Sequence, residues 1–357
     1  MVALLVDCGR VPVSITPPKV TTNAPVSSFC ASLVAPANFR PSASLRARGA
    51  GATFPDLIYQ RWISLYRDAH PELRLQYDAT SSLPGLDALC KYRIDFAGSD
   101  WPQITDKTTT IQFPTVGGAV VIVYNIPGLR ADLRLTPDLL AGIFSGTIRR
   151  WRDSRVLNEN RDAGLPDDEI HVVHRKDGSG TTRVLTEYLA LRSPGIWHIS
   201  PDYTITWPSG STGMEGNGPL ADAVLEQNNS IGYVEYSFAP NTGLRHAFIE
   251  NNAGQFVQAD NESINTAIGE ASLTEDPQEI ARSILREEVH NRLAYPISAV
   301  TWVLLPVRGN GGAATVLRGF FQWTMTGGAQ SYVDLLGYVS LPPALLDWER
   351  REVGRIP

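Results

Sequence analysis

Residues 73–100 read LRLQYDATSSLPGLDALCKYRIDFAGSD. Leu73, Leu75 and Tyr77 alternate with polar residues, the period of a half-buried strand. A Ser-Ser-Leu-Pro-Gly turn follows, and Leu86, Leu89 and Cys90 then keep the spacing of a short helix. IDFAGSD reads as a second strand that ends at Ser99-Asp100. Strand, helix, strand in so short a span predicts an α/β protein with a largely parallel sheet.

The segments on either side continue that rhythm. GAGATFPDLIYQRWISLYRDAHP, residues 49–71, opens the folded part. Thr53 suits an N-cap, Pro55 a first helical turn, and Ile58, Trp62, Leu65 and Ala69 a helix that His70-Pro71 stops. QFPTVGGAVVIVYN, residues 112–125, is expected to be a long buried strand. A helix at PDLLAGIFSG (137–146), a strand at IHVVHR (170–175) and a helix at TRVLTEYLAL (182–191) follow. SIGYVEYSFA (230–239) and YPISAVTWVLLP (295–306) read as further strands, 270–293 as a charged helix, and 313–335 as helical.

The chain has 357 residues, long enough for two domains, and its 43% hydrophobic and 19% charged content is ordinary for a globular protein. A net charge of −6 argues against a general binder of nucleic acid or anionic membranes. An anion bound here must be held by local geometry. Cys8, Cys30 and Cys90 lack metal-ligand spacing, no disulfide framework is implied, and Cys90 reads as a small buried hydrophobe. The six histidines are scattered, so neither metal nor cofactor is expected. No apolar run is long enough to cross a bilayer. Residues 1–48 carry no acid between Cys8 and Arg48 and are rich in Ser, Thr, Pro and Ala. They read as an organelle-type leader, as translated upstream sequence, or as a disordered segment, outside the fold.

RKDGSGTT, residues 175–182, sits between a strand and a helix. Helix N-terminal N–H groups attract anions, Gly178 and Gly180 let backbone come close, and Ser179 and Thr181 add hydroxyls. Arg175 supplies a planar fork for an oxyanion, and Asp177 can hold it in place. Taken by itself the stretch is equally a glycine-rich turn with a surface arginine. GAGATFP and TSSLPG offer the same residue types at two more junctions before helices, and Asp100 ends a strand. Ligands in open α/β sheets bind at the carboxyl ends of strands. A carboxylate accepts hydrogen bonds and cannot donate them, so Asp100 beside an anion makes sense if the anion carries a proton. Two other chemistries fit less well: GSGT is not the elbow of a serine hydrolase, and the chain has no Gly-Lys pair for a P-loop.

Across residues 49–350, GAGATFP, IDFAGSD, QFPTVGGAVVIVYNIPGL, RKDGSGTT, SIGYVEYSFA, YPIS and VSLPPALL occur in order. In these motifs the chain resembles the phosphate-binding proteins of bacterial high-affinity phosphate ABC transporters. The resemblance implies a periplasmic-binding-protein fold of type II, two α/β lobes joined by two crossover strands. Lobe I would take residues 49–117 and 299–357, and lobe II residues 118–298. It implies a non-enzymatic carrier, expected to be a monomer. That carrier would bind inorganic phosphate in the periplasm or outside the cell and deliver it to membrane permease subunits. It assigns phosphate to Thr53, Phe54, Ser82, Asp100, Arg175, Ser179, Gly180 and Thr181, with Asp177 orienting Arg175. Ser81 is the neighbour that competes with Ser82 for its role. The alternatives are another oxyanion in the same fold and a hydrolase or phosphatase using Ser179.

Overall fold

In the computed structural model, Leu33 and residues 44–357 are described, apart from 272, 273, 275, 287–289 and 309. The leader expectation therefore falls mostly outside the described residues. Part of it is corrected. A strand runs Arg46–Gly51, and Leu33 is buried in the core, so GAGATFP completes a strand and does not open the fold.

The first lobe has three parallel strands in the spatial order Arg74–Ala79, Arg46–Gly51 and Phe96–Ser99. The sheet then passes into two antiparallel strands, Ser298–Pro306 and Thr110–Asn125. The second of these links the lobes. Its residues from Thr110 to Ala119 pair with Ser298–Pro306, and Val120–Asn125 pair with the second-lobe strand Ser230–Glu235. That strand runs parallel to His171–Arg175, which is parallel in turn to Thr212–Met214. Both crossings thus lie side by side, a two-stranded joint between two α/β lobes.

The linking strand is buried from Thr110 through Tyr124, and its central run, residues 116–123, is wholly apolar, as a strand covered on both faces must be. Its Pro114 has no N–H for the ladder, and the register shifts beside it, between Thr301 and Trp302 of the partner strand. At Gly118 any side chain is excluded: an added methyl would lie 2.7 Å from the Phe54 ring and 3.0 Å from Glu235 Oε1.

The helix Asp56–Ala69 buries Ile58, Tyr59, Trp62, Ile63 and Tyr66 against the first-lobe sheet. Each such side chain stabilises by about 1.5–3 kcal/mol when fully buried. Trp62 also donates its indole N–H to the Ala329 carbonyl at 2.9 Å. Thr53 does not cap this helix. Pro55 occupies the cap position without a side-chain bond, because the Thr53 hydroxyl is engaged elsewhere.

Other expectations shift for similar reasons. SIGYVEYSFA is strand only to Glu235, after which the buried carboxyl of that residue ties down Ser237 and a short helix, Phe238–Thr242, begins. The 313–335 region is helical at Gly312–Thr324, then breaks before Gly327–Gln330. Within 270–293 the described helix is Pro277–Leu285, begun by Pro277 and capped by Asp276. Cys90 is half-buried and disulfide-bonded, not a small buried hydrophobe.

Candidate functional site

The carboxyl ends of strands from both lobes face one another, and the loops beyond them meet. Arg46–Gly51 leads to Thr53 and Phe54, Arg74–Ala79 to Ser81 and Ser82, and Phe96–Ser99 to Asp100. From the other lobe, His171–Arg175 delivers Arg175 and the helix Gly180–Arg192. All nine residues named from the sequence come together here.

Arg175 is 1% exposed, so it is not a surface arginine. Its Nε donates to Asp177 Oδ1 at 2.6 Å and its Nη2 to Asp177 Oδ2 at 2.5 Å. Burial alone pushes the Asp177 carboxyl up, but the Arg175 bonds and charge win and hold it below its ordinary range. Nη2 also donates to Ser81 Oγ at 2.5 Å, and Ser81 donates on to Asp177. Nη1 reaches Thr53 Oγ1 and Asn217 Oδ1, each at 3.4 Å.

Ser81 has φ +80°, a conformation costing a non-glycine residue on the order of 1–3 kcal/mol. Its bonds to Arg175 and Asp177 hold it there. Of the two serines, Ser81 therefore supports the ion pair, while Ser82 starts the helix Ser82–Cys90 and turns toward Asp100. Ser82 Oγ accepts the Asp100 N–H at 3.4 Å.

At Gly180 the lobes touch. A methyl there would lie 2.3 Å from Ser82 Oγ and 2.6 Å from Asp100 Oδ2, so only glycine permits the approach. Ser179 caps the helix, accepting the Thr182 N–H at 3.2 Å. Its own hydroxyl proton remains available, as do the first N–H groups of the helix, which have no intrahelical acceptor.

Asp100 is 2% exposed. Thr181 Oγ1 approaches its Oδ2 and Thr301 Oγ1 its Oδ1, both at 3.5 Å, too long to saturate the carboxylate. Burial pushes its carboxyl up to about 7, against the opposing pull of Arg175 and the two threonines. The cluster is rich in donors, its guanidinium is already neutralised, and one carboxyl is poised between charged and neutral. Such a site suits a small tetrahedral oxyanion that carries a proton.

The sequence reading missed Asn217, Thr301 and Glu235. Asn217 is 1% exposed and bonds Thr53 through its amide nitrogen at 2.9 Å. Glu235 is fully buried behind Phe54, and its carboxyl is held well above the ordinary range, chiefly by burial. Ser237 donates to its Oε2 through both N–H and hydroxyl, whereas Oε1 has no partner among the described residues. Asn217 and Thr301 sit in no motif, and Glu235 lies within SIGYVEYSFA, but nothing local marks which way the Thr301 and Glu235 side chains point from their strands. His174 lies on the far side of its strand from this cluster, its ring stacked on Trp207.

The family model for the PBP superfamily domain matches residues 38–327. The chain is 34% identical to the phosphate-binding protein PstS of Pasteurella multocida over 305 residues, covering 84% of this chain and 87% of that one. It is 33% identical to the phosphate-binding protein PstS of Methanocaldococcus jannaschii over 334 residues, covering 86% and 85%. Its fold matches the crystal structure of a phosphate-binding protein from Stenotrophomonas maltophilia with a TM-score of 0.63. That match is 21% identical and covers 86% of this chain and 93% of the other.

Proposed function

The chain belongs to the PstS phosphate-binding family of the PBP superfamily, and from that membership we propose that it binds inorganic phosphate between its lobes and hands it to an ABC-type importer. One observation carries the reading at the level of residues. Thr53, Ser82, Asp100, Arg175, Gly180 and Thr181, drawn from both lobes, converge on a buried point where donors surround a single carboxyl.

In this reading the Phe54 and Thr181 N–H groups, the Thr53, Ser82, Ser179 and Thr181 hydroxyls, the Gly180 N–H and the Arg175 guanidinium donate to the anion. Asp100 accepts the anion's proton. Asp177 and Ser81 fix the plane of Arg175. The lobe limits are 117/118 and 298/299, with the first lobe reaching back to Arg46. The protein acts as a monomeric carrier outside the cytoplasm, with permease subunits as its partners. No described helix is long and apolar enough to cross a membrane.

Asp100 also separates phosphate from sulfate or molybdate, which bring no proton to it near neutrality. A Ser179-dependent hydrolase has less support. Ser179 Oγ is occupied by the Thr182 N–H, and His174 is turned toward Trp207. Equilibrium dialysis of the intact chain against inorganic phosphate tests the proposal: one phosphate per chain is expected, and no saturable binding would refute it.

A further inference from the structure

Asn217, at the start of the helix Asn217–Glu226, touches both lobes at once. Its Oδ1 faces the Glu235 N–H at 3.3 Å and Arg175 Nη1 at 3.4 Å. A backbone N–H and a guanidinium can only donate, so together they fix which end of the amide is oxygen. The Nδ2 end must then face Thr53 Oγ1, at 2.9 Å.

The consequence falls on the Thr53 hydroxyl. A hydroxyl has one proton to give and two lone pairs to accept with. Asn217 Nδ2 and Arg175 Nη1 both donate to Thr53 Oγ1, at 2.9 and 3.4 Å, which fills both acceptor positions. The proton is left to point away from Asn217 and Arg175. Without Asn217, that hydroxyl could equally turn its lone pairs to the ligand, an arrangement that repels an anion's oxygens.

We propose that Asn217 is a positioning residue for anion recognition: it turns the Thr53 hydroxyl into an obligate donor and ties that first-lobe hydroxyl to Arg175 of the second lobe. This rests on the phosphate reading above. It concerns a residue that acts through Thr53, not one that touches the anion.

The test is a double-mutant cycle in phosphate affinity, using Asn217→Ala and Thr53→Val singly and together on the intact chain, with thermal unfolding of each ligand-free variant alongside. Asn217→Ala is expected to weaken phosphate binding about 10-fold, the size of one net hydrogen bond. In the Thr53→Val background the same change is expected to cost less than about 2-fold, since the hydroxyl it orients is gone. Equal losses in both backgrounds, or binding by Asn217→Ala within 2-fold of wild type, would overturn the proposal. Should Asn217→Ala fail to fold, Asn217→Asp serves. It keeps both acceptor contacts and the shape but cannot donate to Thr53, so a loss of about 10-fold or more is expected and wild-type affinity would overturn it. Failure of the wild-type chain to bind phosphate would instead refute the underlying functional reading.

Discussion

Arg175 meets Asp177 in a two-point contact, Nε to Oδ1 at 2.6 Å and Nη2 to Oδ2 at 2.5 Å. The contact uses one edge of the guanidinium, aims Nη1 at Thr53 and Asn217, and leaves little net charge in a buried site. An anion here is held by directed hydrogen bonds more than by bulk charge.

Geometry, not charge alone, should therefore decide affinity. Arg175→Lys keeps the charge but loses the planar fork. It is expected to weaken phosphate binding by about 100-fold or more, a loss of roughly 3 kcal/mol. Titration calorimetry checks this; affinity within about 3-fold of wild type would show that the fork is unimportant.

Selectivity should depend on pH through Asp100. Its carboxyl is pushed up to about 7 by burial. Above that pH it is a carboxylate, an acceptor that suits a protonated phosphate and repels sulfate. Below it the group is an acid that can donate to either anion. The preference for phosphate over sulfate is expected to narrow as pH falls through this range, and Asp100→Asn to flatten the dependence. Competition binding at several pH values measures it, and a ratio constant with pH in the wild type would contradict the role.

Glu235 should leave a mark on stability. Its folded-state pKa is raised well above the ordinary 4.5, so folding favours its protonated form. That contribution is complete below the unfolded value and is lost as pH rises from there toward the folded pKa. Glu235→Gln, already neutral, is expected to lose less stability than wild type between acid and mildly alkaline pH. Thermal midpoints report the difference, at roughly 1–2 °C per kcal/mol for a chain of this length. Parallel pH profiles would argue against a neutral Glu235.

Closure is latched by contacts between lobes beyond the cage. The Arg183 guanidinium lies 4.4 Å over the Trp101 ring, and the Leu83 N–H donates to the Gly178 carbonyl at 2.9 Å. Arg183→Ala removes the cation–π contact, worth about 0.5–2 kcal/mol, while Arg282 still neutralises Glu187. Phosphate release is expected to quicken by about 2- to 30-fold with association little changed. Stopped-flow tryptophan fluorescence follows both rates, and an unaltered release rate would rule out the latch.

What could be read from the sequence was local. Strand–loop–helix order and the Gly, Ser and Thr residues at its junctions set out RKDGSGTT and TSSLPG correctly as neighbours of helix starts. The misreadings arose from partners distant along the chain. Thr53 precedes a helix as a cap should, yet its hydroxyl is held by Asn217, 164 residues on. Ser81 and Ser82 are indistinguishable by pattern, and only the far-off Arg175 and Asp177 sort them. Arg46, Ala47 and Arg48 looked like leader because they continue the acid-free stretch before them; pairing with Arg74, Leu75 and Gln76 makes them strand. Asn217 gave no local signal at all, since its importance lies in three bonds to residues on other elements.

Paired calorimetric titrations of the wild-type chain with phosphate and with sulfate, in mildly alkaline buffer, test most directly whether one buried carboxyl selects a protonated anion. The cage predicts saturable uptake of one phosphate and no measurable uptake of sulfate. Sulfate binding as tightly as phosphate, or phosphate failing to saturate, would contradict it.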